Sequence, residues 1–257
     1  MNDATSKLLA DTVTAYRILV NEVVLDGFGH ISVRSPAAPG RFFMPRAMPP
    51  SLVQVEDFLE LDVETSQPVE ARGRRVNGER YLHGEIFKAR PDVNAIVHAH
   101  SYSTIPLTLA GIAMQPVMVQ AGFMPLSVPT FELRTVRGTG RGLQITDPGR
   151  GQALAAVLGP NPVALLRGHG VVVVGPSIVH ATVYSIYTEL NAKLQMQALQ
   201  MARHIEPLDE PELFEPSGFD VNRPWQHYRS RLPSFDAGAS VDRAQFGLDS
   251  TQPRLRQ

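Results

Sequence analysis

Apolar residues recur at helical spacing over residues 6–24 (Leu8, Leu9, Val13, Tyr16, Leu19, Val23), which predicts an amphipathic helix. Asp26-Gly27-Phe28-Gly29 reads as its stop, with glycines that permit positive φ. The pattern then turns to alternation. Residues 30–34 predict a strand, 41–44 its hairpin partner and 58–63 another strand, while Pro45, Pro49 and Pro50 mark a loop. Residues 79–90 predict a helix closed by Pro91, 94–98 a buried strand, and 102–109 a further helix. The stretch 111–150, rich in Gly, Pro, Thr and Arg, predicts short strands and a long loop. Residues 151–158 read as a short helix. Two apolar strands, 163–166 and 171–174, flank the turn Arg167-Gly168-His169-Gly170. A long helix capped near Ser177 and ending at about residue 203 carries the stripe Val179, Val183, Ile186, Leu190 and Leu194.

Strands and helices interleave without a linker as far as Glu206. The fold class this implies is α/β: one three-layer α/β/α domain, its central sheet mostly antiparallel or mixed and flanked by helices. Residues 1–206 form the domain and 207–257 a C-terminal extension. The last part of that extension, 230–257, reads as a weakly ordered tail or an arm that packs on another subunit.

Composition narrows the chemistry. A chain of 257 residues buries a full core without staples. The absence of cysteine removes disulfides, thiolate metal sites and a cysteine nucleophile. A net charge of −1 with no basic run argues against nucleic acid and against a polybasic membrane anchor. No apolar stretch approaches the ~20 residues of a membrane span, and the start lacks the pattern of a signal peptide. A cytoplasmic protein with a small-molecule partner is the expectation.

His98 and His100 lie two apart on a strand, so both imidazoles project from one face and can reach one metal ion. Two hydrogen-bonded histidines near a strand end are an equal alternative. His169, flanked by glycines in a turn, reads on its own as a turn residue. Together the three make a facial set with room for substrate, which is what a catalytic metal requires. A carboxylate would complete it, and spacing alone does not choose one.

Three motifs carry a family resemblance. Residues 90–100, Arg-Pro-Asp-Val-Asn-Ala-Ile-Val-His-Ala-His, resemble the signature of the class II aldolase/adducin family. Residues 26–34, Asp-Gly-Phe-Gly-His-Ile-Ser-Val-Arg, are similar to its D-x-x-G-N-[IL]-S-x-R, and Leu165 to Gly170 resembles its third-ligand motif. The resemblance covers about residues 6–203 and implies that His98, His100 and His169 are metal ligands. Glu79 falls on the family's catalytic glutamate, a general acid/base and sometimes a fourth ligand. Glu85, a turn and a half further on, is the competing carboxylate, and His83 reads as a helix residue hydrogen-bonded within the fold. The resemblance also implies a homotetramer with active sites between subunits, across which the segment holding Trp225 and Tyr228 is expected to reach.

Departures from the family pattern bear on the substrate. His30 replaces the Asn of the first motif, Arg46-Ala47 a Thr-Gly pair, and Asn77-Gly78 two serines, so the phosphate cradle of the sugar-phosphate aldolases is largely lost. Arg46 offers a planar fork for a carboxylate, or is a surface arginine in a Pro-rich loop. His30 is placed to donate to an anion or to act as an acid. Thr130 stands where the aldolases carry a tyrosine proton donor. Phe28-Gly29-His30 and residues 79–85 are most similar to a branch of metal-dependent decarboxylases of hydroxylated aromatic acids.

The implied activity is a metal-dependent, non-oxidative decarboxylation of a hydroxylated aromatic (di)carboxylic acid. Cleavage of the C–C bond runs through a metal-stabilised enolate, with Glu79 as acid and His30, Arg46 and Asn77 binding substrate. As a neutral acid Glu79 needs a raised pKa, which an apolar pocket would supply. The implied cofactor is one divalent ion per subunit, Mn2+ in preference to Zn2+, with Fe2+ and Co2+ compatible. The alternatives are an aldolase or epimerase acting on a sugar or hydroxy-carbonyl substrate, and a non-catalytic adducin-like module.

Overall fold

The computed structural model describes residues 3–71, 73–136, 141–202, 204–215 and 218–233. Seven strands are present among them: β1 (His30–Arg34), β2 (Arg41–Pro45), β3 (Phe58–Asp62), β4 (Ala95–Ala99), β5 (Thr130–Phe131), β6 (Val163–Leu166) and β7 (Gly170–Gly175). They join in one sheet of order β3-β2-β1-β4-β7-β6-β5. Each pairing is antiparallel except β5 beside β6, which is parallel. The helices are α1 (Asp3–Asn21), α2 (Arg80–Ala89), α3 (Thr104–Ala110), α4 (Pro148–Leu158), α5 (Ile178–Met201) and α6 (Asn222–Ser230).

Alternation along the strands sorts the apolar residues into two cores. Ile31, Val33, Ala95, Val97, Ala99, Val163 and Leu165 pack with α1, α3, α5 and α6. Phe42, Leu61, Ile96, Ala164, Leu166 and Val172 pack on the other face with Leu82, Ile86 and Phe87 of α2 and Leu154 and Leu158 of α4. The result is the three-layer sandwich with a mixed sheet that the sequence predicts. No helix among the described residues is long and apolar enough to cross a membrane.

Three details differ from the sequence expectation. Helix α1 stops at Asn21, before Gly27 and Gly29, neither of which has positive φ. Val23 takes the left-handed turn instead, at φ 58°, so that Val24 and Leu25 can bury while Val23 stays outside. On α5 the buried face turns away from the predicted stripe. Leu190 and Leu194 are exposed, whereas Ser185, Thr188, Asn191 and Gln195 are buried. The two amides explain this. Asn191 bonds the backbone of Gln115 and Val117, and Gln195 that of Ala113 and Gln115, so they tie down a segment that no strand pairs. Finally, Trp225 and Tyr228 do not reach outward. Both are buried in the chain's own core, where α6 meets α1 and α5. Of the tail expected at 230–257, Ser230 instead closes α6, and residues 234–257 lie outside the described residues.

Candidate metal centre

The parity of two strands builds the centre. His30 of β1 stands directly opposite His98 of β4, and Ser32 opposite Ile96. Ile31 and Val33 point to one core, so His30 and Ser32 point with Ile96 and His98 to the α2 face. His169 arrives on the turn between β6 and β7. A Cβ on Gly170, at φ 155°, would overlap the carbonyl oxygen of Ala99, so only glycine lets β7 close on β4 here. That approach sets the His169 turn against His98 and His100, with ring centroids 4.7 and 5.1 Å apart.

Glu79 precedes α2 in the N-cap position. The Asn77 side-chain oxygen accepts its backbone N–H at 2.9 Å, which fixes the entry into the helix. Its own Oε1 accepts the Ile145 N–H at 2.9 Å. The carboxylate thereby faces the imidazoles: Oε2 lies 3.5 Å from His30 Nε2 and 3.8 Å from His98 Nε2, and Oε1 lies 3.7 Å from His169 Nε2. One potential ligand atom each from Glu79, His98, His100 and His169 falls within a 4.8 Å span. This is the one such cluster among the described residues, and it takes Glu79 and leaves out Glu85. Glu85 is buried on α2 where α4 packs, beside Gly151.

The hydrogen bonds set the tautomers. His98 donates from Nδ1 to the Val171 carbonyl at 3.0 Å, so its Nε2 carries the lone pair. That Nε2 is fully buried and has no hydrogen-bond partner, a cost that a cation removes. His100 donates from Nδ1 to the Asp26 carboxylate at 3.1 Å, leaving its Nε2 as an acceptor. Imidazole lone pairs together with a carboxylate fit a divalent cation, and a carboxylate behind a ligand histidine is a recurrent support for one.

Electrostatics agree. Burial pushes His98 well below its ordinary value and lowers His169, which keeps both neutral and able to ligate. Burial also works against the ionised Glu79, but the His30 ring 3.5 Å away and, wherever they carry a proton, the His98, His30 and His169 imidazoles outweigh it, so its carboxyl lies well below the usual range. The raised Glu79 expected of an apolar pocket is therefore not what this chain builds: three imidazoles and the Ile145 N–H face the carboxylate. Asp26 is likewise lowered. Burial opposes its charge, and hydrogen bonds from the Phe28 N–H, His100 and the Gly29 N–H overcome that.

The other predicted residues are distributed around this cluster. His83 is fully buried and bridges His30, at 2.7 Å, and Ser32, at 2.6 Å. Arg46 pairs through Nε with the buried Asp57 at 3.0 Å. Since β1 and β2 are antiparallel, the Arg46 end of β2 runs toward the His30 end of β1. Thr130 begins β5 and is exposed. Three participants escape a reading of the sequence: Asp26, hidden in what looks like a helix stop; Ser32, one of many strand serines; and the N–H of Ile145, which has no side-chain signature.

Comparison with known proteins bears on this arrangement. The family described as Class II Aldolase and Adducin N-terminal domain matches residues 10–196. Decarboxylase tropJ of Talaromyces stipitatus is 31% identical over 222 residues, 82% of this chain and 84% of the relative. The 3,4-dihydroxyphthalate decarboxylase of Arthrobacter keyseri is 27% identical over 235 residues, 85% of this chain and 91% of the relative. Among solved structures, an L-fuculose 1-phosphate aldolase from Glaciozyma antarctica shares the fold, with a TM-score of 0.73 at 23% identity, covering 89% of this chain and 90% of that one.

Proposed function

The chain belongs to the class II aldolase and adducin family, and from that footing we propose that it is a metal-dependent, non-oxidative decarboxylase of a hydroxylated aromatic mono- or dicarboxylic acid. The observation that carries the reading is the convergence of Glu79, His98, His100 and His169 within 4.8 Å, in a chain whose relatives include named decarboxylases. Those four residues would hold one divalent ion, and the donor set admits Mn2+, which we favour, as well as Zn2+. Such an ion supplies a Lewis acid for the oxygen that gathers charge as the C–C bond breaks.

The protein's own groups account for the protons. An ionised Glu79 serves first as a base, taking the proton of a ring hydroxyl, and then returns that proton to the ring carbon that loses CO2. The phenolate left behind takes a proton from solvent on release, so the sum is one carboxylate and one proton consumed for one CO2. His30 Nε2, 3.5 Å from Glu79 Oε2, is placed to steady the substrate oxygen between them. Asn77 positions Glu79 through its backbone, and Arg46, approaching from the neighbouring strand, would pair with a substrate carboxylate. We assign the assembly as a homotetramer on the family footing alone.

The test is a product assay. Protein reconstituted with Mn2+ is offered hydroxylated aromatic mono- and dicarboxylates and, separately, fuculose 1-phosphate. Release of CO2 from an ortho-hydroxy acid supports the proposal. Formation of an aldehyde from the sugar phosphate, with no CO2 from any acid, replaces it with the aldolase reading.

A further inference from the structure

Behind the centre lies a buried hydrogen-bonded line that metal binding does not use. Ser32 Oγ is 2.6 Å from His83 Nδ1, His83 Nε2 is 2.7 Å from His30 Nδ1, and His30 Nε2 is 3.5 Å from Glu79 Oε2. All three members behind Glu79 are buried, with Ser32 and His83 fully so. The line is contiguous because β1 sends His30 and Ser32 to the same face, where α2 lays His83 across both.

A line of this kind has two possible polarities. If His30 donated from Nδ1 to His83, His83 would donate to Ser32, and the serine hydrogen would need another acceptor. Among the described residues, Ser32 Oγ has His83 as its hydrogen-bond partner. The same polarity would also turn the His30 Nε2 lone pair onto the Glu79 carboxylate oxygen, acceptor against acceptor. In the reverse polarity the hydrogens of Ser32 and His83 both find acceptors, and His30 Nε2, buried without a hydrogen-bond partner, is left to face the centre. The Ser32 hydroxyl donates to His83 Nδ1, His83 Nε2–H donates to His30 Nδ1, and His30 Nε2–H points at Glu79.

We infer that Ser32 and His83 are positioning residues that lock His30 in the Nε2–H tautomer, so that a neutral His30 presents a hydrogen-bond donor to the metal centre and to the substrate oxygen bound there. The two classes of histidine then hold opposite tautomers by construction. His98 and His100 donate from Nδ1 and offer Nε2 lone pairs. His30 is held the other way round and cannot serve as an Nε2 ligand without breaking its line. The same construction explains why a histidine 4.9 Å, ring to ring, from His98 stands beside the candidate ligands without joining them. The inference rests on the hydrogen-bond network and holds for any reaction at this centre, so its failure is separable from failure of the decarboxylase reading.

The experiment is imidazole 15N NMR on uniformly 15N-labelled protein saturated with Zn2+, a diamagnetic probe. Wild type is expected to show His30 and His83 each as a single Nε2–H species, with His98 and His100 protonated at Nδ1. In Ser32→Ala, which removes the donor at the head of the line, His30 and His83 are expected to lose that single signature and populate both tautomers, while the His98 and His100 signals keep their form. Wild-type His30 protonated at Nδ1 overturns the inference without any variant being needed. So does a folded Ser32→Ala protein in which the His30 signature is unchanged.

Discussion

Asp26→Asn isolates the support behind a ligand from the ligand itself. Asp26 lies 3.1 Å from His100 Nδ1 and accepts the N–H groups of Phe28 at 2.8 Å and Gly29 at 3.0 Å. Asparagine keeps the shape and one carbonyl oxygen for the two backbone donors, so the loop before β1 should stay in place. What is lost is the negative charge behind the imidazole, which orients the ring and makes its far nitrogen a better donor to a cation. Loss of such a partner typically weakens metal binding about 10- to 100-fold, or roughly 1.4–2.8 kcal/mol. The side chains of Asp26 and His100 are about one-fifth exposed, at 21% and 22%, and solvent screening therefore places the expectation near the lower end. Competition titration with a chelator of known affinity reads this directly, with circular dichroism confirming the fold. An affinity equal to that of the wild type would refute the reasoning, because the charge would then have no hold on the ligand.

In the metal-free protein, burial holds His83 neutral well below its ordinary value. An unfolded histidine takes up a proton below about pH 6.5 that folded His83 refuses, so stability is present above that pH and falls as pH drops below it, by up to ~1.4 kcal/mol per pH unit per group. Urea unfolding of His83→Gln between pH 7 and 5 should show a shallower decline than wild type, and an equal slope would contradict the burial argument. Gly170→Ala places a methyl group on the Ala99 carbonyl and should cost at least ~2 kcal/mol in thermal unfolding; an unchanged melting temperature would refute the close approach. Arg46→Lys keeps a cation for Asp57 but loses the fork, so KM for a dicarboxylate substrate should rise roughly tenfold with kcat little changed. An unchanged KM would remove Arg46 from the substrate.

The layered fold was readable because its strands are short and apolar and its helices amphipathic, so each period shows. Strand alternation makes the shared facing of His98 and His100 legible in the sequence as one of two readings, although β4 ends at Ala99 and His100 lies one residue beyond it. Their union with His169 and Glu79 did not: it depends on β7 closing against β4 at Gly170 and on Asn77 turning Glu79 into the cluster, both of which bring together residues far apart in the chain. The lowered Glu79 carboxyl is illegible in the sequence for the same reason, since burial shows in an apolar pattern but the imidazoles facing a carboxylate do not. The α5 stripe failed where Asn191 and Gln195 bury amides to serve an unpaired backbone, a task that hydrophobic periodicity cannot register. Trp225 and Tyr228 sit in a polar segment, and only the packing of α6 shows that they belong to the chain's own core.

The central claim is that Glu79, His98, His100 and His169 together hold one divalent ion. Elemental analysis of purified wild type and of His169→Ala, each reconstituted with excess Mn2+ and desalted, tests it most directly. One ion per subunit is expected in wild type, and substoichiometric metal in a folded His169→Ala protein. Full occupancy in that variant, or none in wild type, would contradict it.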